Sequence, residues 1–511
     1  MQLLETDKKI SSALISVYQK ENLEGIIRKM HELSIKLYAT GGSKEFIESL
    51  NIPVISVEAI TNFPSILGGR VKTLHPGIFG GILNRRGNQD DRREIKEHNI
   101  PDIDLVIVDL YPFESTMASN ADESEIIEKI DIGGISLIRA AAKNFNDVLI
   151  IPSVDQYPFL SKILEENSGT SSLNERKLMA SVAFNVSSHY DTSIFNFFNR
   201  TEDLPVFKSS VQKYRTLRYG ENPHQKAIFF GDFNELFDQL HGKEISYNNM
   251  LDIDAAVSLM AEFSEPTVAI IKHTNACGLA SRANLFDAWN QALEADTVSA
   301  YGGIICTNQQ VDIKTATEMN KIFFEVLITP GFDEEALNIL RQKKNRILLL
   351  QKKTAMPVKQ FRTILNGVAY QDLDNHSEII KDMQVVTIKR PSPEQFNDLE
   401  FANKVVKHLK SNAIVLVKNK QMLGCGVGQT SRVDSLHQAI SKARHFGFDL
   451  NGAVMASDAF FPFPDCVEIA GNAGIKAIIQ PGGSIKDQES VDYCNCHHLI
   501  MAMTGFRHFK H

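Results

Sequence analysis

The sequence is poor in several features, and each shortage argues against a class of protein. Its 511 residues include only 6 cysteines, too few for a disulfide framework in a chain of this length. No apolar run reaches the roughly 18 residues that a membrane-spanning helix needs, and the N-terminal residues do not resemble a leader. Positive charge is in deficit, with a formal net charge of -8, which does not favour a protein that grips nucleic acid. We therefore expect a cytoplasmic protein with neither a membrane nor nucleic acid as its partner.

The remaining composition is that of a globular protein. The chain is 43% hydrophobic and 23% charged, which excludes collagen, a coiled coil and wholesale disorder. At roughly 150 residues per domain, this length predicts two or three folding units.

The first part of the chain predicts an α/β fold. Short apolar runs alternate with helical patterns, as in a parallel sheet covered by helices. The predicted strands are residues 13–17, 36–39, 54–57, 104–108 and 148–151. Polar stretches at 167–174 and 201–210 interrupt this pattern, so we predict two domains, residues 1–200 and residues 201–511.

The second part also predicts an α/β fold, although no repeat is evident in its residues. Strands are predicted at residues 267–271, 413–417 and 477–479, and a helix at 399–409. Because 311 residues exceed one typical domain, we expect a further division within residues 343–375.

Several residues that follow the predicted strands of the first part suit an anion. Ligands of open parallel sheets lie beyond the carboxyl ends of the strands. Lys20 follows the first strand, and Thr40-Gly41-Gly42-Ser43 follows the second and opens a helix whose N–H groups could bind phosphate. A turn without a ligand is the alternative for the two glycines.

A second group of polar residues comes later in the first part. Residues 69–76, GRVKTLHP, pack two cations, a hydroxyl and an imidazole together, with a solvated basic loop as the alternative. Tyr111 follows a strand, and Asp131 precedes a helix that carries Arg139 and Lys143 one turn apart. Since like charges at this spacing repel, we expect Asp131 or a phosphate to lie between them.

In the second part, Lys272-His273 ends a predicted buried strand. An imidazole there could accept a proton and an ammonium could polarise a carbonyl, but a surface lysine beside a core histidine is the alternative. The glycine-rich residues 424–432 make phosphate binding plausible, although their spacing is not that of a dinucleotide site. Residues 494–498 contain two cysteines and two histidines without a second pair, so no zinc site is expected.

The order of these motifs resembles a known family over nearly the whole chain. GRVKTLHP, LYPF, DIGG and AAKN, followed by LRYGENPHQ, KH-N-CG, SNAIV, GQ-SRVDS, SDAFFPFPD, QPGGSI and RHF-H, are similar to the bifunctional purine-biosynthesis enzymes. These enzymes combine phosphoribosylaminoimidazolecarboxamide formyltransferase with IMP cyclohydrolase.

The resemblance implies a fold, substrates and a partner. It implies an N-terminal domain like methylglyoxal synthase and a C-terminal part of two units like cytidine deaminase. It also implies 10-formyltetrahydrofolate as co-substrate, an aminoimidazolecarboxamide ribonucleotide as acceptor, no catalytic metal, and a homodimer that shares the formyl-transfer site. The zinc signature of true deaminases is absent from the sequence.

The resemblance also implies roles for individual residues. Lys272 and His273 look like the formyl-transfer pair, with His273 as base for the electron-poor substrate amine and Lys272 steadying the oxyanion and protonating the folate nitrogen. Ring closure by the substrate's own carboxamide needs only folding and proton management, and the residues that resemble those for this step are Lys72, Tyr111, Asp131 and Lys143. Those that resemble phosphate-binding residues are Lys20, Thr40, Gly42, Ser43, Arg70 and Thr73. Those that resemble nucleotide- or folate-binding residues are Arg218, Tyr219, Asn249, Asn412, Arg432, Phe460, Asp465, Arg507 and His511.

The chain departs from the family pattern near the proposed phosphate site. Tyr18 and Gln19 stand where serine and aspartate are common, and Asp109 replaces a usual asparagine. These departures leave the formyl transfer better supported than the ring closure. One alternative is a formyltransferase whose N-terminal domain only binds a nucleotide, and another is a folate-dependent hydrolase.

Overall fold

The computed structural model describes residues 6–354 and 356–511. They separate into two compact units at residues 212 and 213. The boundary predicted near residue 200 instead falls in the last turn of the helix Leu173–Glu202. The polar stretch after this helix returns along it, because Ser210 Oγ lies 2.9 Å from His189 Nδ1 and Gln212 Oε1 accepts from Asn185 Nδ2 at 2.8 Å.

The first unit is built on a parallel sheet in which Ser12–Ser16 is central, between Lys36–Ala39 and Leu105–Val108, with Ile55–Ser56 and Leu149–Ile151 at the edges. This confirms the sheet predicted from the apolar runs, whose central strands are buried as a parallel sheet between helices requires. The strands of this unit are β1 Lys8–Lys9, β2 Ser12–Ser16, β3 Lys36–Ala39, β4 Ile55–Ser56, β5 Leu105–Val108, β6 Leu149–Ile151 and β7 Thr170–Ser171.

Helices cover the sheet and begin at polar caps. The longest, α10, starts with a capping box in which Ser172 and Glu175 satisfy each other's backbone N–H groups. The helices are α1 Leu23–Glu32, α2 Gly41–Ser49, α3 Val57–Thr61, α4 Pro76–Leu83, α5 Gln89–Glu97, α6 Phe113–Ala118, α7 Glu123–Glu128, α8 Gly133–Lys143, α9 Tyr157–Glu166 and α10 Leu173–Glu202.

The second unit is a mixed α/β structure around one long sheet, as predicted for its class. Its strands are β8 Tyr214–Leu217, β9 Ala227–Phe230, β10 Phe237–His241, β11 Thr267–Lys272, β12 Asn275–Ser281, β13 Ile304–Thr307, β14 Val326–Thr329, β15 Ile347–Gln351, β16 Lys359–Ile364, β17 Gly367–Asp372, β18 Gln384–Val385, β19 Ile414–Lys418, β20 Gln421–Gly426, β21 Val454–Ser457, β22 Ala477–Gln480 and β23 Ile500–Met503. Its helices are α11 Phe233–Leu236, α12 Tyr247–Met260, α13 Leu285–Glu294, α14 Ile313–Met319, α15 Glu334–Leu340, α16 Pro393–Lys407, α17 Arg432–His445, α18 Asp465–Asn472 and α19 Asp487–Cys496.

The second unit contains a structural repeat that is not evident in the residues. The order helix, two antiparallel strands, then three helix-strand pairs occurs first from α12 to β15 and again from α16 to β23. The hairpin β16-β17 lies between the two halves in sequence, inside the predicted region of division. One sheet runs through both halves, in the order β10-β15-β14-β13-β11-β12-β20-β19-β21-β22-β23-β18. The likeness of each half to cytidine deaminase remains a prediction.

The halves meet at β12 and β20, and both strands carry a Cys-Gly pair that permits close helix packing. A Cβ atom on Gly278 would lie 2.1 Å from Ala292 O of α13, and one on Gly426 would lie 1.8 Å from Ser435 O of α17. Gly426 was predicted in a phosphate-binding loop, but it lies inside β20, where close contact with a helix explains its lack of a side chain.

Candidate active sites

The first unit has a polar cavity of about 670 Å³ at the carboxyl ends of β2, β3 and β5. This is where an open parallel sheet places its ligand. Most of the residues that the sequence predicted for this site line the cavity: Lys20, Thr40, Gly42, Ser43, Arg70, Lys72, Thr73, Tyr111 and Asp131.

One end of the cavity is formed by the first turn of α2. The Ser43 hydroxyl accepts from Val17 N at 3.0 Å and fixes this turn to the end of β2. Lys20 Nζ donates to Val17 O and, at 3.1 Å, to Tyr18 O. Burial lowers the pKa of Lys20, and nearby Lys72 lowers it further against the attraction of Asp109. Free helix N–H groups beside two ammonium groups suit a phosphate.

The other end of the cavity contains a carboxyl and a phenol. Asp131 Oδ1 accepts from Gly134 N at 2.6 Å at the start of α8, while Asp131 N donates to the Tyr190 hydroxyl at 2.8 Å. Burial raises the pKa of Asp131, with Gly134 N–H and Lys72 opposing the change. Burial and then the charge of Asp131 raise the pKa of Tyr111, which therefore remains a protonated donor near neutral pH.

Lys143 does not lie in this cavity, contrary to the expectation that the ring-closure residues would share one site. It is exposed at the last position of α8, whereas the cavity contacts the first two residues of that helix, Gly133 and Gly134. Ten residues of helical rise separate the two ends by about 15 Å. Asp131 does not lie between Arg139 and Lys143, because it binds Gly134 N at the start of the helix, while the Arg139 guanidinium lies over the Phe184 ring at 5.6 Å. A phosphate between these two cations stays a prediction.

The structure adds one carboxylate, Glu128, that the sequence did not predict for the site, and it shows how Tyr18 and Asp109 contact the residues around them. Glu128 lines the cavity and forms an ion pair with Arg70. Asp109 accepts from Tyr18 N and, at 2.8 Å, from Gln19 N, so it anchors the turn that leads to Lys20. The Tyr18 ring packs edge-on against Tyr111 with centroids 5.6 Å apart. The three residues that depart from the family pattern, at positions 18, 19 and 109, are therefore in contact with one another.

In the second unit, His273 is exposed at the tip of the β11-β12 hairpin. His273 and Thr274 have φ angles of 51° and 62°, so both are in the left-handed region. Lys272 Nζ donates to Tyr301 O at 2.8 Å, and Thr274 N donates to Asp252 Oδ1 at 2.6 Å. The exposed imidazole is thus held on a doubly anchored turn.

Segments from the second half reach this turn. Asn275 Nδ2 donates to His273 O at 2.9 Å, and Asn275 Oδ1 accepts from Lys410 N at 2.9 Å. Asn412, which follows two residues later, donates through Nδ2 to Gln429 O at 2.9 Å. The repeat therefore brings Asn412 near the Lys272-His273 turn.

Arg432 and the C-terminal residues form a neighbouring cationic group. Arg432 Nη2 lies 3.3 Å from Asp458 Oδ1, and its guanidinium is 5.7 Å from the Phe509 ring. The Arg507 guanidinium lies 4.3 Å from the same ring, while His511 packs against it at 5.5 Å. Two predicted cations and the predicted terminal histidine thus surround one aromatic side chain.

The remaining predicted residues lie elsewhere in the second unit. Asn249 is buried in the first turn of α12, where its Oδ1 accepts from Ser246 Oγ at 2.9 Å. Arg218 lies over the ring of Tyr219 at 5.5 Å in the segment after β8. Phe460 is in the loop after β21, and Asp465 begins α18.

Neither a metal centre nor a membrane span is found in the described part of the chain. No group of three or more His, Cys, Asp or Glu side chains within residues 6–354 and 356–511 could hold a metal ion. Over the same residues, no helix is long and apolar enough to cross a membrane.

The chain thus combines a parallel-sheet unit that contains a cavity with a mixed-sheet unit that presents an exposed histidine turn, and its family matches are those of a bifunctional enzyme. A model of the MGS-like domain matches residues 22–136, and a model of the AICARFT/IMPCHase bienzyme matches residues 141–442. The chain belongs to the AICARFT/IMPCHase bienzyme family.

Curated relatives cover nearly the whole chain, and each is named bifunctional purine biosynthesis protein PurH. The relative from Bacteroides thetaiotaomicron is 60% identical over 508 residues, 99% of this chain and 100% of that protein. Those from Acetivibrio thermocellus and Bacillus subtilis are 46% and 42% identical, each over 98% of this chain and 100% of the relative.

Proposed function

We propose that the cavity of the first unit carries the ring closure and that the His273 turn of the second unit carries the formyl transfer. As a member of its family, the protein is an enzyme with transformylase and cyclohydrolase activities, which catalyse the last two steps of IMP synthesis. The assignment of each activity to residues rests on the geometry of the two sites.

For ring closure, one observation carries the assignment: a single cavity joins an anion-binding helix end to Lys72, Tyr111 and Asp131. The carboxamide nitrogen of the formylated nucleotide attacks the formyl carbon of the same molecule, and the formyl oxygen leaves as water. Holding the two groups in contact supplies much of the acceleration. In this assignment Asp131 accepts the proton of the attacking carboxamide nitrogen while Tyr111 and Lys72 donate to the formyl oxygen, and the formylamino nitrogen gives up its proton as the ring C=N bond forms and water leaves.

The ring-closure assignment is tested with Lys72→Ala and the formylated nucleotide as substrate. We expect the rate of IMP formation to fall about 100-fold or more, the usual effect of losing a proton donor. Lys44→Ala is the matched control, because Lys44 is on α2 but pairs with Glu48 at 2.8 Å outside the cavity. If Lys72→Ala closes the ring as fast as wild type, the first unit only binds a nucleotide through this cavity.

For formyl transfer, the exposed His273 on an anchored turn supports a role as base. The substrate amine attacks the formyl carbon of 10-formyltetrahydrofolate, the bond from that carbon to the folate nitrogen breaks, and tetrahydrofolate leaves. His273 takes the amine proton. Lys272 keeps N–H bonds beyond its contact with Tyr301 O, which can steady the oxyanion and protonate the folate nitrogen.

His273→Ala tests this assignment, with the exposed His437 of α17 as the matched control residue. We expect His273→Ala to lose formyl transfer by about 100-fold or more and His437→Ala to retain it. Tetrahydrofolate is followed by absorbance, with and without the ribonucleotide. Formate release without the ribonucleotide would instead indicate a folate-dependent hydrolase.

Apolar side chains beside the His273 turn support the proposal that a second copy completes this site. Val298 and Tyr301 are 71% and 65% exposed, and the Tyr301 ring lies 5.2 Å from that of Phe323. Tyr301 also supplies the carbonyl that binds Lys272. Sedimentation of the full chain should give a dimer, and Val298→Asp with Tyr301→Asp should weaken both the dimer and formyl transfer. The cytoplasm as its location remains a prediction from the sequence.

A further inference from the structure

The two halves of the second unit anchor their first hairpins in the same way. Asp252 is the sixth residue of α12, and its Oδ1 accepts from Thr274 N at 2.6 Å. Asp398 is the sixth residue of α16, and its carboxylate accepts from Asn419 N at 2.8 Å and Lys420 N at 2.7 Å. Each aspartate therefore holds the two-residue turn of the hairpin that follows its helix.

The lysine before each turn is equivalent too. Lys272 Nζ donates to Tyr301 O at 2.8 Å, and Lys418 Nζ donates to Asn451 O at 2.7 Å. Both carbonyls lie three residues before the next strand, β13 or β21. The hydrogen bond from Lys272 to Tyr301 O is thus a feature that both halves of the repeat share.

The turns themselves differ. In the second turn, Asn419 stands where the first has His273, and Lys420, which stands where the first has Thr274, is bound through Nζ to Glu265 at 2.8 and 2.9 Å. The first turn presents His273 to solvent. One half therefore carries an exposed imidazole on its turn, and the other provides an internal comparison in which the same anchor holds a turn without an imidazole.

The first turn needs its anchor more than the second does. Left-handed backbone is tolerated by Asn but is unfavourable for a β-branched residue. Thr274 has a φ of 62°, whereas Asn419 and Lys420 have φ angles of 53° and 52°. Without the acceptor on Asp252, Thr274 would be free to leave this conformation and His273 would move with it.

We propose that Asp252 is a positioning residue for formyl transfer, which holds His273 in place by fixing Thr274 in the left-handed conformation. This inference rests on the proposed role of His273. Asp252 is half-buried on α12 and acts on the turn backbone. A misplacement of about 1 Å at a reacting group can reduce a rate 100-fold, so the anchor affects turnover more than substrate affinity.

The test compares Asp252→Ala with Asp398→Ala, which removes the same anchor from the second turn. We expect Asp252→Ala to lower kcat for formyl transfer about 10- to 100-fold with KM within about 2-fold. Asp398→Ala should keep kcat within about 2-fold of wild type, since its turn carries no reacting group. If Asp252→Ala does not fold, Asp252→Ser replaces it in the comparison with Asp398→Ala.

A rescue variant separates positioning from a chemical role. Glycine adopts the left-handed conformation without strain, so Thr274→Gly added to Asp252→Ala should restore kcat to within about 3-fold of Thr274→Gly alone. The proposal is overturned if Asp252→Ala keeps wild-type kcat, if both aspartate variants lose kcat equally, or if glycine does not restore it. Full activity of His273→Ala would instead overturn the proposed function.

Discussion

A rise in pH from 6 to 8 should weaken the second unit through one buried histidine. His508 Nδ1 lies 2.6 Å from Asp374 Oδ2, and its Nε2 lies 3.0 Å from Glu378 Oε1. Burial alone would lower the pKa of His508, but the two carboxylates raise it to about 9. A histidine of the unfolded chain titrates near 6.5. The stabilisation is therefore complete below about pH 6.5 and is lost as the pH rises through about 9.

The magnitude follows from these two pKa values. Linkage between protonation and folding gives a total contribution of about 3 kcal/mol to the free energy of unfolding, of which about 2 kcal/mol is lost between pH 6 and pH 8. His408 acts in the opposite direction, because burial lowers its pKa and the folded state then gains stability as the pH rises. Measuring His508→Gln beside wild type cancels this second effect, since both proteins contain His408.

Tryptophan fluorescence is a suitable assay for this unit. Trp289 is the only tryptophan of the chain and is buried in α13 of the second unit. We would unfold both proteins in urea at pH 6 and pH 8 while following this fluorescence. The stability advantage of wild type over His508→Gln should shrink by about 2 kcal/mol at pH 8. An advantage of equal size at both pH values would refute a charged His508 between two carboxylates.

Two further predictions concern exposed side chains. Glu128→Gln should lower KM for the formylated nucleotide about 2- to 5-fold, because it releases Arg70 and removes a negative charge from the cavity. It should change stability by less than about 1 kcal/mol, since the pair is exposed, and an unchanged or higher KM would contradict the reasoning. Native protein should react rapidly with a thiol reagent at Cys496 alone, because the other five thiols are buried, and Cys496→Ser should abolish that phase. Rapid reaction of a second thiol would show that a buried strand opens.

The sequence was most informative where one local pattern determines the structure. β5 is a fully buried apolar run and β2 has the buried apolar residues Ala13, Leu14 and Ile15 at its centre, so the parallel sheet could be predicted. Cavity residues could be found because they follow these strands directly. Helical spacing put Arg139 and Lys143 on one face of α8, but it does not show that the cavity meets the opposite end of that helix, at Gly133 and Gly134; the role of Lys143 in ring closure stays a prediction from the resemblance.

Contacts between distant residues were not accessible in the same way. Glu128 is 58 residues from Arg70, and Asp252 is 22 residues from Thr274. Neither carboxylate has a local motif, so only the folded chain reveals the pairing. The resemblance implied two similar units in the second part, but the residues themselves did not show the repeat, because its halves share backbone geometry and a few anchors while most of their side chains differ.

The antiparallel pairing of β12 with β20 bears on how far the two halves can differ from each other. Two copies of one half, joined through the same strand about a two-fold axis, would make the same antiparallel junction. The second unit thus has the architecture of a symmetric pair of subunits fused into one polypeptide. In a pair of identical chains, any change in one hairpin turn would appear in both. Fusion removes that constraint, so one turn can carry His273 while the equivalent turn carries Asn419 and the Lys420–Glu265 ion pair.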